Sequence, residues 1–92
     1  MNSLKEFRVV YDQHADVLYI STRKAPSTKG IEDRYGVVWR YGGDGELIGA
    51  TIVDFKDYWS DKHELLAREL SRKFEIPQKQ AETVLSHVQR DR

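Results

Sequence analysis

The amino-acid sequence predicts an α+β fold: a four-stranded antiparallel β-meander followed by two C-terminal α-helices. Three observations carry this expectation. Apolar residues alternate with period two as far as residue 55 and recur with a period near 3.6 beyond residue 58. Two polar turns, Asp12-Gln13-His14-Ala15 and Gly42-Gly43-Asp44-Gly45, separate β-prone runs. Pro77 divides the helical part in two, because proline suits a first helical turn and no later one. The expected organisation is one compact domain, with residues 1–57 as the meander and 58–92 as a helical hairpin.

In the first strand Phe7, Val9 and Tyr11 alternate with Arg8 and Val10, and the turn at residues 12–15 ends the run. The second strand, residues 17–21, has Val17 and Tyr19 on one face and Leu18 and Ile20 on the other, the pattern of a central strand buried on two sides. Residues 22–30, with Pro26, Ser27, Thr28 and Gly30 among Arg23, Lys24 and Lys29, read as a loop. A third strand spans residues 32–41, where Tyr35, Val37, Trp39 and Tyr41 share a face and Gly36 suggests a bulge or a close backbone contact. After the glycine-rich turn, the fourth strand covers residues 46–55 and places Asp54 on the face of Ile48, Ala50 and Ile52.

Ser60 or Asp61 is positioned to cap the first helix, and Asp61 with Glu64 has capping-box spacing. Leu66, Leu70 and Phe74 then form one apolar stripe. Ala81, Val84, Leu85 and Val88 form a second.

Charged residues make up 33% of the chain but balance, 15 basic against 15 acidic, so no overall field favours nucleic acid or an anionic membrane. The absence of cysteine excludes disulfides, a thiol nucleophile and cysteine-ligated metal centres. No apolar run approaches the ~20 residues of a membrane span, so a cytoplasmic location without membrane association is expected. Both sheet faces carry apolar residues, and two helices cover one of them. A homodimer is therefore expected, through the sheet or the helical hairpin.

Three residue sets have chemical potential. Asp12, His14 and Asp16 bracket the first turn; clustered carboxylates and an imidazole suit a metal ion or acid–base work, whereas aspartates in that position also cap turn amides. Arg68, Arg72, Lys73 and Lys79 lie around the inter-helix turn as candidate phosphate contacts, interleaved with Glu69 and Glu75 in the manner of an ordinary paired helix face. His63 and His87 lie one on each helix and are expected as solvated surface residues, and no serine occupies a nucleophile elbow. No catalytic residue and no cofactor are nominated.

The segment Tyr11-Asp12-x-x-Ala15-Asp16-Val17-Leu18-Tyr19-Ile20, with Gly36-Val37-Val38, Asp44-Gly45-x-Leu47-Ile48-Gly49 and Ile52-x-Asp54, resembles the family of domains of unknown function 2283 over about residues 7–56. The resemblance implies a small bacterial β-domain, some of whose relatives are thought to accompany small toxin-like proteins as antitoxins. The helical tail is similar to the dimerisation helix pair of histone-like DNA-bending proteins, without their DNA-gripping arms. Together these imply a protein-interaction module with a small protein partner, in which Leu66, Leu70, Phe74, Val84, Leu85 and Val88 supply apolar contacts. The alternatives are a DNA-binding or regulatory dimer and a small-ligand or metal-binding domain.

Overall fold

Among the described residues, five strands and two helices follow one another: β1 (Arg8–Asp12), β2 (Val17–Ser21), β3 (Lys29–Glu32), β4 (Val37–Tyr41), β5 (Leu47–Val53), α1 (His63–Phe74) and α2 (Gln78–Arg90). The structure is a computed structural model and describes residues 6–22 and 26–90. The strands form a single antiparallel sheet in the order β1-β2-β5-β4-β3. The α+β class holds, and the four-stranded meander is corrected in both strand number and strand order. The last strand in the chain lies at the centre, with one hairpin paired to each of its sides.

The additional strand arises because the predicted run of residues 32–41 is interrupted. Asp33 Oδ1 accepts the backbone amides of Tyr35 (2.9 Å) and Val37 (3.0 Å), and Gly36 adopts φ 85°. The Asp-x-x-Gly turn folds Lys29–Glu32 back along β4. Its residues are all exposed, so β3 lacks the alternation that marks a half-buried strand. Edge position, a lysine and a glutamate suit it to face water without templating another chain.

β5 earns its central place by apolarity on both faces, and five consecutive residues of it are buried. Gly49 allows β2 to approach it. A Cβ at position 49 would lie 2.8 Å from the Ile20 carbonyl oxygen, and backbone cannot yield as a side chain can. Gly49→Ala is expected to cost about 1–3 kcal/mol, as overpacking of a close contact does. Urea unfolding would show this as a lower midpoint; an unchanged midpoint would contradict the close approach.

Both helices cover one face of the sheet, here called inner. Leu18, Ile20, Ala50, Ile52, Val37 and Trp39 meet Leu66, Leu70, Phe74, Ala81, Val84 and Leu85 in one core. Edge-to-face aromatic pairs tie the layers together: Phe7 on Phe74 (5.1 Å between centroids) and Trp39 on Phe74 (6.1 Å). α1 begins without a side-chain cap. Lys62 is its N-cap residue, and Lys62 Nζ bonds Asp61 Oδ1 (3.2 Å), so the expected capping by Ser60 or Asp61 is not formed. Its C-terminus closes on Glu75 in the left-handed region (φ 58°), while the Ser71 hydroxyl donates to the Ile76 carbonyl (2.6 Å). Among the described residues no helix is long and apolar enough to cross a membrane.

Candidate functional site

The turn between β1 and β2 is held by its own two aspartates. Asp12 Oδ1 accepts the backbone amides of His14 (3.1 Å) and Ala15 (3.2 Å), an Asx-type turn that leaves His14 exposed. Asp16, with φ 59°, reaches away from that turn. Its Oδ1 accepts the Tyr11 hydroxyl (2.6 Å) and the Lys56 amide (2.8 Å), and its Oδ2 accepts the Asp57 amide (3.0 Å). Its carbonyl oxygen also takes the Phe55 amide (3.1 Å). Asp16 thus fastens the β5–α1 connection to the β1–β2 turn. Partial burial opposes its ionisation, yet the Tyr11 hydroxyl, the two amides and the Lys56 ammonium together hold the carboxyl below its ordinary value. Tyr11 answers in the opposite sense: burial first, and then donation to the Asp16 anion, raise its phenol to about 12.

A carboxylate offers about four lone-pair positions, and three donors already occupy those of Asp16. The Asp12, His14 and Asp16 side chains stand on one turn, but Asp12 and Asp16 face different backbone segments. Among the described residues, no group of three His, Asp or Glu side chains is arranged to hold a metal ion.

The helical stripes expected to meet a partner face the protein's own sheet instead. Leu66, Leu70, Phe74, Val84 and Leu85 are all core residues, and the Val88 side chain, like that of His87, lies outside the described part. The apolar inner face of the sheet takes up both stripes in one core. Of the basic set, Arg72 pairs with Glu69 and Lys73 Nζ lies 5.4 Å from the centre of the Trp39 ring. Arg68 and Lys79 are exposed. His63 is half-buried against Phe55 (5.3 Å between ring centroids), and desolvation lowers its pKa. It borders an open cleft of about 340 Å³ with Glu64, Glu82, Leu85 and Ser86.

The outer face of the sheet carries apolar side chains that the helices do not cover. Strand register sets Val10, Tyr19, Thr51, Val38 and Glu32 in one row across all five strands. Val17 and Val53 stand on one side of it; Ser21, Gly49 and Arg40 stand on the other. Val10, Tyr19 and Val53 are 50, 44 and 40% exposed, which is unusual for large apolar side chains grouped on one surface. Thr51 on this face is nonetheless buried, because Arg40 lies over it with Nε donating to Thr51 Oγ1 (2.8 Å).

This face and the turn that anchors it lie within a segment, residues 8–56, that matches a family model described as "Protein of unknown function (DUF2283)". The chain belongs to the DUF2283 family. The matched part contains the entire sheet, both aspartate-held turns and the Asp16 anchor, and it ends before α1. The DUF2283 segment therefore supplies the outer face complete, and the two helices add the cover of its inner face. Comparison with curated proteins and with solved structures found no match.

Sequence reading missed two participants. Asp33 is recognisable in retrospect by its Asp-x-x-Gly spacing before a β-prone run. Arg40 carries no such signal, since its importance depends on which strands flank it.

Proposed function

We propose that the protein is a non-enzymatic interaction module that binds a small protein partner on the outer face of its sheet. The observation that supports this reading is the grouping of Val10, Tyr19 and Val53, exposed on the one face that the helices do not cover. A flat apolar surface with a tyrosine near its middle and charges at its ends has the make-up of a binding patch with a polar rim. An antitoxin-like role, in which the partner is a small toxin-like protein, is the finer form of the proposal.

Tyr19→Arg tests it, because the position is exposed and cross-strand from Val10 and Thr51, so the fold has little to lose. Tagged wild-type protein and the variant are carried through parallel capture and sedimentation. The expected result is a stoichiometric small protein held by the wild type and bound at least about thirty-fold more weakly by the variant, the loss typical of a central contact. Equal capture by both would move the interface elsewhere, and no partner with either would end the proposal.

A second copy of the chain is the alternative occupant, for one specific reason. On edge strand β1, Arg8 and Asp12 lie two residues to either side of Val10. A two-fold axis at Val10 would set each arginine opposite the aspartate of the other copy. Sedimentation of the wild type alone gives the answer: a concentration-dependent dimer that Tyr19→Arg or Val10→Arg dissociates.

A further inference from the structure

Arg40 stands on the outer sheet face in circumstances that ask for an anion. Its Nε is used by Thr51 Oγ1 at 2.8 Å. Among the described residues no carboxylate pairs with it, and no acceptor takes its Nη1 or Nη2. The nearest acidic residue by register, Glu32, is turned aside: its Oε2 lies 3.9 Å from the Cβ position of Gly36, at the opposite end of the strand pair. The guanidinium lies beside Gly30 of β3, where a Cβ would come into ordinary contact with Arg40 Nη1 at 3.5 Å and crowd Val38 Cγ1 at 3.1 Å.

Beside the guanidinium the surface is hollowed. A depression of about 140 Å³ is bordered by Arg40, Tyr19, Ser21, Ser27, Gly49 and Thr51. Gly49, without a side chain, forms part of its lining. Thr51 Oγ1 accepts from Arg40, so its own proton is left to donate. The Ser21 hydroxyl has no hydrogen bond among the described residues. Arg8 closes the same row from the other side: register runs Arg8, Ser21, Gly49, Arg40 across four strands. At ~4.8 Å per strand, the two arginines stand about 14 Å apart, with two small residues between them.

We propose that Arg40, with the Ser21 and Thr51 hydroxyls above Gly49, forms a seat for the carboxylate or phosphate group of a ligand. A planar guanidinium with two free nitrogens matches an oxyanion in paired fashion, and the apolar surroundings strengthen that attraction. The hollow is smaller than the ~300–1,000 Å³ of sites that enclose whole small molecules, so it takes a group and not a molecule. The group has two sources, a free small anion or an acidic side chain of the partner proposed above; only the second rests on that proposal.

The test is a titration of the ¹⁵N-labelled full chain at low ionic strength with sodium phosphate and, separately, sodium acetate. Saturable shifts are expected at the Ser21, Gly49 and Thr51 amides and at Arg40 Nε. Arg40→Gln should weaken binding tenfold or more. Arg40→Lys, which keeps the charge but loses the fork, should fall between. Thermal melting checks that each variant is folded, and Arg40→Lys alone carries the comparison if Arg40→Gln is not. Shifts unchanged in either variant, or gathered at Arg68 and Lys79, would overturn the seat. Saturation by phosphate or acetate assigns a free anion. A seat silent to both, with partner capture that Arg40→Gln loses and Tyr19→Arg also loses, assigns the partner's acidic side chain. Partner capture that Tyr19→Arg abolishes but Arg40→Gln leaves intact supports the interaction surface while overturning the seat as its anion contact.

Discussion

Asp16→Ala is expected to lower stability by about 2–3 kcal/mol, equivalent to roughly 10–20 °C in melting temperature for a chain of this size. The variant loses three hydrogen bonds to an ionised acceptor, from the Tyr11 hydroxyl and the Lys56 and Asp57 amides. Charge-assisted bonds contribute about 1.5–3 kcal/mol each when buried. The two amides here are exposed and water replaces part of what they lose, so the sum is well below three full bonds. Alanine also pays for the left-handed backbone at φ 59°, a region that asparagine tolerates. Asp16→Asn is therefore the milder change. The pH dependence follows from the direction of the shift. The folded-state pKa of Asp16 is depressed, so its contribution is present above the ordinary carboxylate value and disappears as pH falls through the folded value. Tyr11, raised to about 12, contributes below pH ~10 and loses that contribution as pH climbs towards 12. Melting curves of the wild type should decline at both ends; those of Asp16→Asn should be flatter at the acid end. An acid limb unchanged in Asp16→Asn would show that another carboxylate is responsible.

Trp39→Ala is expected to have the largest effect of any single change, about 3–5 kcal/mol. The indole is 1% exposed, packs edge-to-face on Phe74, and donates Nε1 to Asp33 Oδ2 at 3.0 Å. Truncation opens a cavity between β4 and α1 and removes one of the three donors that hold the Asp33 carboxylate across its turn. A domain of this length has about 5–14 kcal/mol in total, so the variant retains little margin at 37 °C. Trp39→Phe separates the two parts, keeping most of the ring while removing the donor, and should cost about half as much. Denaturant midpoints measure both. A Trp39→Ala midpoint within experimental error of the wild type would remove Trp39 from the core assignment.

The two helices were legible because each repeats its apolar residues over three or four turns, and Pro77 marks the break between them. β2, β4 and β5 were legible for the same kind of reason, with period two. β3 was not, since Lys29-Gly30-Ile31-Glu32 has no buried face to impose a pattern. Strand order was not either: the pairing of β2 with β5 joins residues 28 to 36 positions apart, and alternation says which face a residue takes but not which strand lies beside it. The candidate surfaces followed from this. The stripes Leu66, Leu70, Phe74 and Val84, Leu85 were visible as apolar faces, but that their cover is the protein's own sheet depends on tertiary packing. Asp12 and Asp16 were visible as turn residues. The 40-residue reach from Asp16 to Lys56 was not.

The central position of β5 has a consequence for how the chain is made. Until residue 53 leaves the ribosome, the earlier strands exist only as two separate hairpins, β1–β2 and β3–β4, neither of which has a neighbour to complete it. Isolated hairpins are marginal in water, and each would expose on one side the strand that β5 later covers. Sheet assembly is thus a single late closure that depends on distant pairings and proceeds slowly for that reason. During synthesis the half-made protein presents two unpaired edges at once, and its vulnerability to misassembly is concentrated in the interval before β5 inserts.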